Sequence, residues 1–307
     1  MIIMLGSVVF SVAYFTKKDT DAKVVTTIFP IYDICREIMG DSEDIVLLES
    51  NGSDLHNYSP TSHDIATISK SELFIYIGGE SDEWVDSVLK STGRTNLKTL
   101  ALLEKIEKLE ESEDGVLDSH TDGEHEEVEY DEHIWLSLKN MIKMVTFVRL
   151  SLNEIFPERQ KLFEENAEKY IAKLTSLESE YASALQGKTT PLIIADRFPF
   201  RYLVNDYNLQ YYAVFSGCSA ETEASPETIA KLIEKINESD INSVFVLETS
   251  DKSIANSALN DTRCNKTGIE ILTINSCQSV ALKNLEDTTY LNIMTSNLIN
   301  LKRAITK

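Results

Sequence analysis

The chain has 307 residues, 42% of them hydrophobic, and a formal net charge of −21. That length exceeds one ordinary core and suits two domains. So acidic a balance excludes nucleic acid, which asks for a basic face, and charge-driven adhesion to anionic membranes; it is compatible with attracting cations.

Met1 to Phe15 is a continuous apolar run followed by polar residues from Thr16 to Asp21. The run is shorter than the ~20 residues of a spanning helix and resembles the apolar part of an export signal. Residues 1–22 are therefore expected to be a signal-like segment and tether, which places the protein outside the cytoplasm. No basic residue precedes the run and no cysteine directly follows it.

Lys23–Phe29 is rich in β-branched residues and predicts a strand. Pro30 opens a helix to about Met39, with Ile31, Ile34, Cys35 and Ile38 on one face and Gly40 as its stop. Ile45–Leu48 predicts a second strand, Ser62–Lys70 a helix, Leu73–Ile77 a buried strand and Glu83–Leu89 another helix. Strands alternating with helices predict a parallel sheet. Residues 104–132 are crowded with Glu and Asp and hold His120 and His125; so few apolar residues predict a solvated loop. Asn140–Ile155 predicts a helix, Phe156-Pro157 a break, and Glu158–Leu185 a long helix of about 40 Å. A second α/β series follows. Strands are predicted at Leu192–Ala195, Tyr211–Phe215, Ser243–Leu247 and Glu270–Ile274. Helices are predicted at Phe200–Tyr207, Pro226–Asn237, Lys252–Leu259 and Thr288–Ala304. The expected fold class is α/β: two lobes, each with a parallel β-sheet flanked by helices, joined by one long rigid linker helix. The lobes are expected at residues 23–156 and 188–307, with the linker helix at 157–187.

Two stretches carry the chemistry. His56 lies in Asp54-Leu55-His56-Asn57-Tyr58-Ser59-Pro60, and His133 lies in Asp131-Glu132-His133-Ile134-Trp135-Leu136. Imidazole is the commonest protein ligand for divalent transition metals. His63 falls in a predicted helix turn and reads as surface. No histidine follows His133, so any ligand from the C-terminal half is an oxygen or a thiolate such as Cys277. In open parallel sheets ligands bind beyond the carboxyl ends of strands, where Asp196, Glu248 and Asn275 are expected. Two nitrogens with two oxygens suit zinc and also manganese. The four cysteines, Cys35, Cys218, Cys264 and Cys277, lack CxxC spacing. A disulfide among the last three, or buried thiols, are both compatible with that pattern. HExxH, GxSxG, Walker A and GxGxxG motifs are absent.

At these residues the chain resembles a family. Val24 to Asp33 (VVTTIFPIYD), His56 to Thr61 (HNYSPT), Leu73 to Gly78 with Glu83-Trp84, Glu132 to Leu136 (EHIWL) and Phe200 to Leu203 (FRYL) are similar to motifs of metal-specific substrate-binding proteins. These are the extracytoplasmic components of zinc and manganese ABC transporters. The resemblance covers about Lys23 to the C-terminus. It implies a non-enzymatic binder, expected to be monomeric, that captures a divalent metal between two lobes and delivers it to an ABC permease. Zn2+ is the expected ligand and Mn2+ the alternative. The implied ligands are His56, His133, Asp196 and Asn275. Arg197 next to Asp196 and a neutral amide at Asn275 depart from the family pattern, so either another oxygen such as Glu221, Glu223 or Glu248 serves, or a water fills the gap. Two readings from other classes remain: a surface adhesin with a structural metal, and a hydrolytic metalloenzyme with an open coordination position.

Overall fold

The computed structural model describes residues 22–41, 43–49, 58–118, 129–217, 223–278 and 280–305. The apolar run at the start, His56, His120, His125, Cys218 and Glu221 lie outside the described residues. Two compact units divide the chain.

The first unit is built on a four-stranded parallel sheet of β1 (Val24–Thr26), β2 (Ile45–Leu47), β3 (Leu73–Tyr76) and β4 (Lys98–Ala101), in the order β2-β1-β3-β4. Strands β1 to β3 read as near-continuous apolar runs because helices cover a parallel sheet on its faces. Helices α1 (Phe29–Met39), α2 (Ser62–Lys70) and α3 (Trp84–Thr92) supply that cover. Each has a sequence-encoded boundary. Pro30 sits in the first turn of α1, where its missing N–H costs nothing, and Gly40 ends it at φ 80°. Thr61 and Asp64 form a reciprocal capping box at the start of α2. Val25, Ile68, Phe74, Val85 and Val88 pack into one buried cluster. Strand β4 was not predicted: only Leu100 of its four residues is buried. His63 is exposed in the first turn of α2.

Helices α4 (Leu138–Ile155) and α5 (Gln160–Leu185) each contribute to both units. Up to Ala172, α5 packs in the first unit, where Asn166 donates to the Ile38 carbonyl and Tyr170 Oη to Asp33 at 3.1 Å. Beyond it, Tyr181 Oη donates to the Met294 carbonyl at 2.6 Å in the second unit.

The second unit holds another four-stranded parallel sheet, ordered β6-β5-β7-β8, from β5 (Leu192–Phe198), β6 (Tyr211–Ser216), β7 (Ser243–Leu247) and β8 (Glu270–Ile274). Helices α6 (Arg201–Tyr207), α7 (Pro226–Glu238), α8 (Ser253–Asn260) and α9 (Tyr290–Ile305) complete it. Ser225 caps α7, accepting from the Thr228 amide. The core gathers Ile193, Val214, Leu232, Ile236, Val244 and Val246.

Two expectations need correction here. The acidic segment was expected to be solvated throughout. Instead the described residues on either side of 119–128 are bound into the second unit. Leu117 and Asp118 donate their amides to Ala213 and Val214, and Leu117 is a core residue. Glu111 N–H bonds the Glu129 carbonyl at 3.0 Å, and Asp131 N–H the Leu109 carbonyl at 2.9 Å. Residues 107–142, placed by sequence in the N-terminal lobe, thus fold with the C-terminal sheet. Gly115 makes this packing feasible. Its φ is +84°, and a Cβ there would lie 2.6 Å from the Tyr211 carbonyl oxygen. Among the cysteines, Cys264 and Cys277 form no disulfide with each other.

Candidate metal centre

His133 ends the acidic segment and precedes a single 3₁₀ turn, Ile134–Leu136, before α4. Its side chain is fully buried. Asp131, two residues earlier, binds it twice: Oδ1 accepts the His133 backbone N–H at 2.8 Å and stands 3.2 Å from Nδ1. A carboxylate beside Nδ1 favours the tautomer with its proton there, which presents the Nε2 lone pair to a metal. Burial favours the neutral ring. The Asp131 charge and hydrogen bond, with Glu132 and Glu111 nearby, outweigh it and raise the ring's pKa above its ordinary value.

The surroundings fix this pair. Tyr202 Oη donates to the Asp131 carbonyl at 3.0 Å and accepts the Leu109 amide at 3.1 Å. The Trp135 ring lies 5.3 Å from the imidazole, and its Nε1 donates to the Ser276 carbonyl at 2.8 Å. Tyr290 Oη closes the set on the Trp135 carbonyl at 2.6 Å. Three elements therefore hold the His133 turn: α6 through Tyr202, the β8 exit through Ser276, and α9 through Tyr290.

The expected oxygen ligands have other partners. Asp196 does not follow β5 but lies within it, at a register shift between Ile194 and Arg197. Its Oδ1 accepts the Arg197 amide at 2.9 Å and its Oδ2 the Leu247 amide at 3.2 Å, so the carboxylate braces the irregular strand against β7. Asn275 Oδ1 accepts the Cys277 amide at 2.7 Å and holds a turn in which Cys277 has φ 61°. Its backbone is paired with the Asn297 side chain at 2.8 Å in both directions. Glu248 accepts from Ser276 N and Oγ at 3.0 and 2.7 Å. Burial raises the pKa of Glu248, partly offset by those two donors. Among the described residues no three His, Cys, Asp or Glu side chains are grouped to hold a metal. The structure brings together His133 and Asp131. The sequence reading missed Asp131 as a partner, although an acid two residues before a buried histidine was the available signal.

A family model described as zinc-uptake complex component A, periplasmic, matches residues 24–304. The chain belongs to this zinc-uptake component A family. A relative named zinc-binding lipoprotein AdcA, from Streptococcus pneumoniae (strain ATCC BAA-255 / R6), is 31% identical over 302 residues, covering 96% of this chain and 58% of its own length. The chain thus spans little more than half of the AdcA relatives it matches. The high-affinity zinc uptake system protein ZnuA of Bacillus subtilis (strain 168) is 29% identical over 296 residues, covering 94% of this chain and 91% of its own. Among solved structures, the Zn(II)-bound ZnuA-like domain of S. pneumoniae AdcA is similar at a TM-score of 0.74 and 27% identity, over 92% of this chain and 98% of that one. For a zinc-uptake component A chain the buried imidazole with its carboxylate partner is the chemically apt feature. Zinc accepts neutral imidazole nitrogen, and a carboxylate on the ring's other nitrogen raises its basicity.

Proposed function

We propose that this chain is an extracytoplasmic binder that captures Zn2+ and delivers it to an ABC permease, with no catalytic step of its own. The observation that carries the reading is His133: a fully buried imidazole whose Nδ1 faces Asp131, inside a chain of the zinc-uptake component A family. The relatives named as zinc-binding or zinc-uptake proteins support zinc as the cargo.

The ligand set we propose joins the imidazoles of His56 and His133 with oxygens from Asp196 and Asn275. The two oxygen donors already accept backbone amides. Each would coordinate only through a second lone pair, so the imidazoles carry most of the affinity.

Calorimetric titration of zinc into metal-stripped protein tests the assignment. His133→Ala and His56→Ala should each weaken binding by orders of magnitude, whereas Asp196→Asn should weaken it far less. Wild-type affinity in either histidine variant would overturn the ligand assignment. Radiolabelled zinc uptake by cells lacking the protein tests delivery, and undiminished uptake at limiting zinc would count against it.

A further inference from the structure

The two sheets have four edge strands, and among the described residues three of them are blunted. β6 takes the Leu117 and Asp118 amides on its Ala213 and Val214 carbonyls. The Thr273 carbonyl of β8 accepts from Asn300 Nδ2 at 2.8 Å. β4 opens on Lys98, which pairs with Glu154. Covering bonds and charges of this kind keep an edge from pairing with another chain. β2, Ile45-Val46-Leu47, carries neither charge nor proline.

The outer side of β2 is open at named groups. In a parallel pair alternate residues bond the neighbouring strand. The Asp44 carbonyl accepts from the Val24 amide and the Leu48 amide donates to Thr26, so Asp44, Val46 and Leu48 face β1. The N–H and C=O groups of Ile45 and Leu47 face outward, and no described strand pairs with them. Both residues are 7% exposed, and backbone groups so enclosed ask for partners. β2 lines a groove of about 290 Å³ within the first unit.

The walls of the groove select its occupant. The β1–α1–β2 and β2–α2–β3 crossovers run in opposite directions across the sheet, so the right-handed rule puts α1 and α2 on opposite faces. Tyr32 of α1 stands with Leu285, whose carbonyl accepts from Arg36 Nη1 of the same helix at 2.6 Å. Leu282, 54% exposed, extends this apolar wall. The α2 wall is polar, with His63, Asp64 and Thr67. No Lys or Arg is among the described lining residues, and Asp44 adds a second acid at the start of β2. A second copy of the chain would bring the same acids and a further net charge of −21, which opposes self-pairing. An extended segment satisfies the free backbone groups, and its side chains alternate between the two walls.

We propose that the outer edge of β2 docks an extended segment of a partner protein, which joins the sheet as a fifth strand. Its residues facing Tyr32, Leu282 and Leu285 are apolar, and those facing Asp64 are basic. His133, Asp196 and Asn275 do not line this groove, and its test uses no metal.

The probe is a synthetic peptide, acetyl-Val-Lys-Val-Thr-Val-Lys-Val-amide, titrated calorimetrically into the full chain at low salt. Binding in the micromolar to low millimolar range is expected. Replacing both lysines by glutamate, or N-methylating every internal amide, should weaken it at least tenfold. Hydrogen exchange should slow at the Ile45 and Leu47 amides in the complex and stay unchanged at Leu48, whose amide already bonds β1. Leu282→Arg places a cation against the peptide and should weaken binding at least tenfold; Leu282 is exposed, so its variant should unfold at the wild-type temperature. No binding at millimolar peptide, equal binding of either control peptide, unslowed exchange at Ile45 and Leu47, or full affinity in Leu282→Arg would overturn the proposal. So would a dimer in sedimentation equilibrium that Leu282→Arg dissociates, since the edge would then belong to a second copy.

Discussion

At the scale of single residues, the buried pair of Asp131 and His133 is the centre of the proposed zinc site. Asp131 makes two bonds to the histidine residue, one to its backbone and one beside its ring, so it fixes both main chain and tautomer. Asp131→Asn keeps an acceptor of the same shape but removes the charge. Zinc affinity should fall by about 10- to 100-fold, the usual cost of losing such a partner, with little change in unfolding temperature. Asp131→Ala should lower both. Trp135→Phe removes the donor to the buried Ser276 carbonyl. A loss of about 1–3 kcal/mol in denaturant unfolding is expected, because an orphaned buried acceptor bears its full desolvation cost.

A second residue carries a pH dependence of its own. Asp82 is buried with its Oδ2 accepting the Gly78 amide at 2.8 Å. Burial raises its pKa to about 6, although the Gly78 and Ile77 amides pull the other way. An aspartate in an unfolded chain titrates near 4. The folded state therefore holds this proton more tightly. The associated stability is fully present below pH ~4 and is lost as pH rises through about 6. Asp82→Asn should remove that slope, worth roughly 3 kcal/mol between the two limits. Unfolding midpoints measured from pH 4 to 7.5 decide it: parallel curves for wild type and variant would refute the shift.

At the scale of elements, most of the regular structure was legible. The capping box at Thr61, Pro30 and Gly40 around α1, and the apolar runs of β7 and β8 are local signals, and these elements end where the signals stand. What escaped the sequence was carried by backbone bonds and by residues far apart. Strand β4 buries one side chain, too few for a periodic pattern. The extension of β5 through Asp196 and Arg197 looks like the end of a strand, because charge rarely sits there; a register shift and two amide bonds to Asp196 make it tolerable. The acidic flanks pair through main-chain atoms, which leave no mark on side-chain composition. Of the site, the sequence marked His133, which the structure buries beside Asp131; His56 lies outside the described residues. The occupied state of the Asp196 and Asn275 oxygens was not legible, since hydrogen-bond partners arrive from β7 and from a following turn. Gly115 tests the packing of the acidic flank. Gly115→Ala combines a left-handed conformation, costing about 1–2 kcal/mol, with a clash on the Tyr211 carbonyl. Faster hydrogen exchange at the Leu117 and Ala213 amides is expected; unchanged exchange would show that the segment can shift at no cost.

At the scale of the whole molecule, the proposed zinc site would link metal binding to stability. A ligand bound only by the folded chain adds about 2.7 kcal/mol at a hundredfold excess over Kd and about 4.1 at a thousandfold. Zinc should thus raise the unfolding midpoint of the metal-stripped protein in a concentration-dependent way, and His133→Ala should abolish the rise. A rise that persists in that variant would locate the zinc elsewhere.

The paired main chain at Leu109–Glu111 and Glu129–Asp131 works like the neck of a purse. Everything that positions His133 lies on the near side of that drawstring. A tug on the acidic segment is thus resisted by these stitches, and by the Leu117 and Asp118 amides on β6, before it reaches the His133 turn.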